Sequence, residues 1–143
     1  MTYEFKSNVP NRLRNNLENL FFFNSKQSDV YSKIEKALEK YGNPYIYEND
    51  GKCKIGLEKL KDCQNLILVQ KFSDIERISG IILHSRIQKE KAEIIHIATD
   101  INPESKDNDY LKIMMNEIFR IYKSIKGVKK IEVTYIGKEL KIH

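Results

Sequence analysis

From Asn65 onward, the order of apolar runs leaves few folds open to the chain. Leu66–Phe72 is a short run rich in Leu, Ile and Val, the composition of a strand covered on both faces. Ser73–Glu76 is a polar turn, and Arg77–Gln88 carries a second strand around Ile78-Ser79-Gly80-Ile81-Ile82-Leu83. Lys89-Glu90-Lys91 reverses the chain into a third strand, Glu93–Asp100, and Pro103 ends pairing by withholding a donor. After a polar loop from Pro103 to Tyr110, apolar residues cover most of the circumference of a helix running to about Lys126. They include Leu111, Met114, Ile118, Tyr122 and Ile125, and so apolar a helix must be buried against a sheet. Gly127 stops it, and the alternation in Ile131–Ile136 predicts a returning strand.

The first 64 residues read as a helical pair plus a hairpin. Leu13, Leu17, Leu20 and Phe21 make one stripe of a 3.6-residue period, and Pro10 suits the first helical turn. Phe21–Phe23 is read as core packing. In the second helix Ser28 caps, Asp29 favours the positive end, and Val30, Ile34, Leu38 and Tyr41 form the apolar stripe. Gly42 sits where a C′ glycine belongs, with Pro44 after it. Tyr45–Glu48 and Cys53–Leu57 flank Asn49-Asp50-Gly51, a hairpin signal, with a short helix over Gly56–Cys63 as the alternative. The expected fold class is α+β: two N-terminal helices, an antiparallel meander, a buried helix and a returning strand. One domain is expected over 1–143, with 1–64 as helical pair plus hairpin and 65–143 as the core.

At 143 residues the chain is long enough for a core without staples. No apolar run approaches the ~18 residues of a membrane span. The Met-Thr-Tyr-Glu-Phe-Lys start lacks a basic segment followed by an apolar one, so no signal peptide is expected and the expected location is cytoplasmic. Cys53 and Cys63 match no zinc spacing and are read as structural thiols. Net charge is +5, and the excess lies in residues 120–143. There Arg120, Lys123, Lys126, Lys129, Lys130, Lys138 and Lys141 face only Glu132 and Glu139. Such asymmetry can mark a surface for an acidic partner or nucleic acid, though an ordinary solvated helix face and strand edge is the plainer reading.

The segment Leu66–Ile136, about half the chain, resembles the GNAT superfamily of N-acetyltransferases. The resemblance rests on Arg77-Ile78-Ser79-Gly80-Ile81-Ile82 as a turn with an apolar-Gly-apolar strand, on Ile101-Asn102-Pro103-Glu104 closing the next strand, and on the apolar helix that follows. It implies three antiparallel strands, a loop and helix, and a last strand splayed from the one before it. It also implies a pyrophosphate site for acetyl-CoA in the loop before the helix, where bare N–H groups and a positive dipole end meet the anion. On the family's spacing the basic position falls on Lys106 and the two glycine positions on Asp109 and Leu111. With both glycines replaced, Lys106, Asn108, Asp109, Tyr110 and Leu111 make a degenerate cofactor loop, and Asp107 and Asp109 would repel phosphate.

The resemblance further implies a carboxylate base on the strand before the loop. Glu93 fits that place and His96 is the alternative. A C-terminal tyrosine acid has no counterpart: Tyr135 lies within the expected last strand. A three-residue Lys89-Glu90-Lys91 hairpin would set His84 opposite His96, but a metal needs a third ligand and no spacing assigns one.

The expected function is therefore a non-catalytic GNAT-like protein that binds a macromolecular partner, protein or nucleic acid, through Arg120, Lys123, Lys126, Lys129 and Lys130, with no cofactor. An N-acetyltransferase taking acetyl-CoA through an atypical loop is the alternative, with Glu93 and His96 as its catalytic candidates. An unrelated small α+β binding protein is the further one. No metal and no membrane contact are expected. The strand edge after Ile131 offers a place for a second copy of the chain.

Overall fold

The computed structural model describes residues 2–22, 39–100, 110–133 and the backbone of 138–141. Nine strands and two helices are defined among the described residues. In chain order they are β1 (Thr2–Lys6), β2 (Val9–Pro10), a 3-10 turn over Asn11–Leu13, α1 (Arg14–Phe21), β3 (Pro44–Asn49) and β4 (Lys52–Leu57). There follow β5 (Gln64–Phe72), β6 (Ile75–Gln88), β7 (Lys91–Thr99), α2 (Tyr110–Lys123), β8 (Lys130–Val133) and β9 (Lys138–Lys141). The fold is α+β and dominated by strands.

The main sheet runs β1-β5-β6-β7-β8-β9. All neighbours are antiparallel except β7 and β8, which pair in parallel over Lys91–Ile94 and Lys130–Val133. A second, three-stranded sheet runs β2-β4-β3. The three-strand meander and the buried helix expected from Asn65 onward are all present. Residues 66–69 of β5 are buried on both faces, as their unbroken apolar run requires.

Alternation along the main sheet splits the core in two. Toward one side Ile67, Val69, Ile81, Leu83 and Ala98 pack with Leu13, Leu17, Leu20 and Phe21 of the first helical stripe and with Cys53, Ile55 and Leu57 of β4. Toward the other, Leu66, Leu68, Ile82 and Ile94 pack beneath Tyr110, Met114, Ile118 and Tyr122 of α2. Four α2 residues repeating every fourth position therefore carry the helix's burial, and Leu111 faces outward. Asn65 joins the two sheets: its side chain accepts from Ile55 N at 2.9 Å and donates to Ile55 O at 2.8 Å, as a paired strand would.

Several expectations need correction. The chain opens with a strand that had not been foreseen, β1, paired along the edge of β5. The β6–β7 connection has two residues between Gln88 and Lys91, which pair directly. The ladder then slips, so that Leu83 faces His96 and His84 faces Ile94. His84 and His96 are therefore not opposed: the bulge at Ile95 turns them to opposite faces of the sheet. Gly56 lies inside β4 and residues 58–63 form no helix, so the hairpin reading holds. The edge of β8 is already paired with β9 of the same chain, which removes the place proposed there for a second copy. Val133 pairs with Lys138, and the rest of the expected strand, to Ile136, lies outside the described residues. Of the second helix, residues 39–41 are described and helical, and Gly42 ends it at φ +79. Its stripe at Val30, Ile34 and Leu38 lies outside the described residues, as do Phe23, Ser28, Asp29 and Tyr135.

Candidate functional site

Glu93 is the most constrained ionisable group of the sheet. It stands on β7, between Ser85 of β6 and Glu132 of β8, and is 0% exposed. The Tyr41 hydroxyl donates to Oε2, and Lys40 Nζ lies 3.4 Å from both carboxylate oxygens. Burial and the bond to Glu93 push the Tyr41 hydroxyl far above the ordinary tyrosine value. A buried carboxylate survives only when partnered, and here a neutral donor and a half-exposed ammonium both serve it.

Tyr41 and Lys40 also line an open groove of about 510 Å³ with Leu60, Lys61, Ser85 and Arg86. The carboxylate thus meets the groove through its two partners. A general base must come within ~3 Å of the proton it takes. Glu93 is enclosed where it stands, and the Tyr41 hydroxyl already occupies Oε2. His96 lies elsewhere on that side of the sheet, buried 4.7 Å from the Phe21 ring, with burial pushing its pKa down to about 4. His84 faces the opposite layer, its Nδ1 2.6 Å from the Tyr122 hydroxyl, and is likewise pushed down to about 4 by burial. Both imidazoles are neutral near pH 7. Among the described residues no three His, Cys, Asp or Glu side chains converge on a metal position.

Of the expected cofactor loop, Lys106, Asn108 and Asp109 lie outside the described residues. Tyr110 and Leu111 form the first turn of α2. Tyr110 is buried and donates to Gln70 Oε1 at 3.1 Å, an oxygen that also accepts from Ser79 Oγ at 2.6 Å. That network, seated where a bulge puts Ser79 between the residues paired with Leu68 and Val69, fixes the start of α2 on the sheet. Leu111 projects outward with 47% of its surface exposed.

The basic positions Arg120, Lys123, Lys126, Lys129 and Lys130 are all exposed. Arg120 bonds Glu117 one turn back, and Lys129 Nζ lies 3.4 Å from Glu90. Folding adds to them what the sequence keeps apart. The backbone amides of Lys129 and Lys130 both donate to Glu90 O, at 2.7 and 3.1 Å, which docks the connection before β8 on the β6–β7 turn. Arg86 bonds Lys89 O at 3.0 Å and Lys126 O at 3.4 Å. Arg86, Lys89 and Lys91 therefore join Lys126, Lys129 and Lys130 at one end of the sheet, with Glu90 and Glu132 as the local counter-charges. Sequence reasoning found the second trio and missed the first, whose neighbourhood depends on parallel pairing of β7 and β8. The one available signal was the turn at residues 89–91, itself two-thirds lysine.

Cys53 and Cys63 are buried free thiols, and burial raises both pKa values, that of Cys63 to about 11. Among the described residues no helix is long and apolar enough to cross a membrane. Neither a family model nor a curated protein nor a solved structure matches this chain.

Proposed function

We propose that this chain is a non-catalytic relative of the GNAT acetyltransferase scaffold that binds an acidic macromolecule through the basic end of its sheet. The observation that carries the reading is the enclosure of Glu93. The only carboxylate early in the strand that would supply a base is wholly buried and held by Tyr41 and Lys40. Support for the scaffold comes from the antiparallel order β5-β6-β7 and from the helix that leads into a parallel β7–β8 pair; the expected splay adds nothing to it, since all four described residues of β8 pair with β7. Gly80, lying beneath the following helix, adds to it. Support for the loss of cofactor binding comes from Leu111, a branched exposed side chain where the family's spacing needs glycine.

The partner surface rests on the convergence of Arg86, Lys89 and Lys91 with Lys126, Lys129 and Lys130, joined by Arg120 and Lys123 on α2. Cations gathered on one end, all exposed except the half-buried Lys91 that pairs with Glu132, raise the local concentration of a polyanion and steer its approach. Fold and activity separate readily, so a scaffold of this kind can keep its shape and lose its chemistry.

Calorimetric titration with acetyl-CoA tests the catalytic half. No heat at about millimolar ligand, a Kd weaker than about −4 kcal/mol of binding, is expected. Micromolar binding would overturn the reading in favour of an acetyltransferase using the groove beside Lys40 and Tyr41. Retention on immobilised polyanion tests the other half. Replacing Lys126, Lys129 and Lys130 by Gln should lower the eluting salt concentration, because each lost contact removes a counterion-release step. An unchanged elution profile would place the partner elsewhere.

A further inference from the structure

The small sheet turns one face inward and one outward, and the outward face is built differently from the surface around it. Directly opposed residues of an antiparallel pair share a face, so Tyr45 and Gly56, Tyr47 and Lys54, and Asn49 and Lys52 stand together. The intervening β4 residues Cys53, Ile55 and Leu57 point the other way and are buried in the core. Tyr45 and Tyr47 each keep 46% of their surface exposed. Two positions apart on one strand, they are roughly 7 Å from each other along β3, a step that gives each ring its own ligand.

Gly56 determines how Tyr45 lies. A Cβ at that position would come within 2.7 Å of Tyr45 Cζ and 2.9 Å of its hydroxyl oxygen. The end of the ring therefore lies over bare β4 backbone, in space that a side chain at position 56 would take. Tyr47 borders an open cavity of about 460 Å³ lined also by Asn8, Asn49, Lys52 and Lys54, with Asp50 at the turn. Glu48, one residue along from Tyr47, is bonded by Arg14.

Exposed rings at successive same-face positions, with lysines beside them on the neighbouring strand, are what single-stranded nucleic acid requires. Unpaired bases stack on aromatic faces whatever their identity, and cations follow the phosphates. A duplex keeps its bases inside and offers such a surface only its backbone. We propose that the outer face of the β3–β4 sheet binds single-stranded nucleic acid, bases stacking on Tyr45 and Tyr47 and phosphates meeting Lys52 and Lys54. This site is separate from the basic end of the main sheet and stands whether or not that end has a partner.

Fluorescence anisotropy of the full chain with labelled single-stranded RNA and DNA of about twelve nucleotides, and with the matching duplex, tests it. Single strands should bind more tightly than duplex at roughly 50 mM salt. Tyr47→Ala should weaken the single-strand complex about five- to a hundredfold. Tyr47→Phe, which keeps the ring, should stay within about twofold of the parent chain, and guards against a folding artefact in the alanine variant. Lys54→Gln should flatten the salt dependence of log K by about 0.7. Substituting Lys126, Lys129 and Lys130 by Gln should leave the loss on Tyr47→Ala in place. The proposal is overturned by absence of single-strand binding, by equal affinity for duplex, or by a Tyr47→Ala variant that binds like the parent. Equal competition from a neutral oligosaccharide, or self-association through β3 that buries both tyrosines, would overturn it as well.

Discussion

Met114 of α2 lies directly against Gly80 of β6, its sulfur occupying the space that any Cβ at that position would need. The helix can sit this close to the sheet because the strand is bare there, and Met114 is fully buried as a result. Gly80→Ala forces a closed core to open. The expected cost is about 1–3 kcal/mol, typical of overpacking. Urea unfolding should show it as a lower midpoint at unchanged slope. Met114→Ala, costly by itself, should cost less in the Gly80→Ala background than in the parent, since the two sites share one volume. By contrast, Gly56→Ala meets only Tyr45, a surface ring that can swing aside, and should cost less than about 1 kcal/mol.

The contact between Tyr41 and Glu93 carries the second expectation. Tyr41→Phe leaves a buried carboxylate without its neutral donor, and hydrogen bonds to charged groups contribute about 1.5–3 kcal/mol. Lys40→Met removes a partner that is half in water, so its cost should stay below about 1 kcal/mol. Equilibrium denaturation of both variants gives the order directly. Equal losses would mean that the ammonium holds the carboxylate as firmly as the phenol does.

The two buried histidines make stability depend on pH in a defined direction. Burial pushes His84 and His96 down to about 4 from an ordinary value of 6.5. Between those values the unfolded chain binds protons that the folded chain refuses. Stability is therefore complete above about pH 6.5 and declines as pH falls toward 4, by up to roughly 3 kcal/mol for each imidazole. Thermal melts from pH 7 to 4.5 should fall steadily, and His96→Gln should shallow the fall. A flat profile across that range would show that neither ring is desolvated.

What could be read in the sequence was what depends on local period. The meander, the buried helix and the α1 stripe of Leu13, Leu17, Leu20 and Phe21 all follow from apolar spacing, and Asp50-Gly51 marked the hairpin. Positive φ at both residues, 53 and 76, is what that pair of residues supplies. β1 was missed although Tyr3 and Phe5 alternate with polar neighbours, because an edge strand this short carries little apolar signal. The register of His84 and His96 was not legible at all. A two-residue turn and two bulges, at Ile87 and Ile95, decide it, and no period announces a bulge. The partners of Glu93 were invisible for a related reason: Tyr41 is 52 residues away and reaches it only through tertiary packing. The aromatic face of the small sheet lay between these cases. Its hairpin was foreseen, but the sharing of a face by Tyr47 and Lys54 depends on a two-residue turn at Asp50-Gly51, which sets the register.

Cys53 and Cys63 supply the last test, because their inertness follows from burial alone. Both are free thiols inside the core, and burial raises Cys63 to about 11 and Cys53 above its usual value. The thiolate is the reactive form, so native thiols should be scarce both as nucleophiles and in access. A disulfide-exchange reagent added to folded protein at pH 8 should release almost no chromophore at first, then react at a rate that tracks local opening. Addition of guanidinium should expose both thiols at once. If one cysteine labels within seconds in the native state, it is on the surface, and the core beneath β4 or at the start of β5 is not closed as described. If both label slowly but with different rates, the slower marks the more protected element. Cys53, on the central strand of the small sheet, should be that one if the sheet opens only with the rest of the fold.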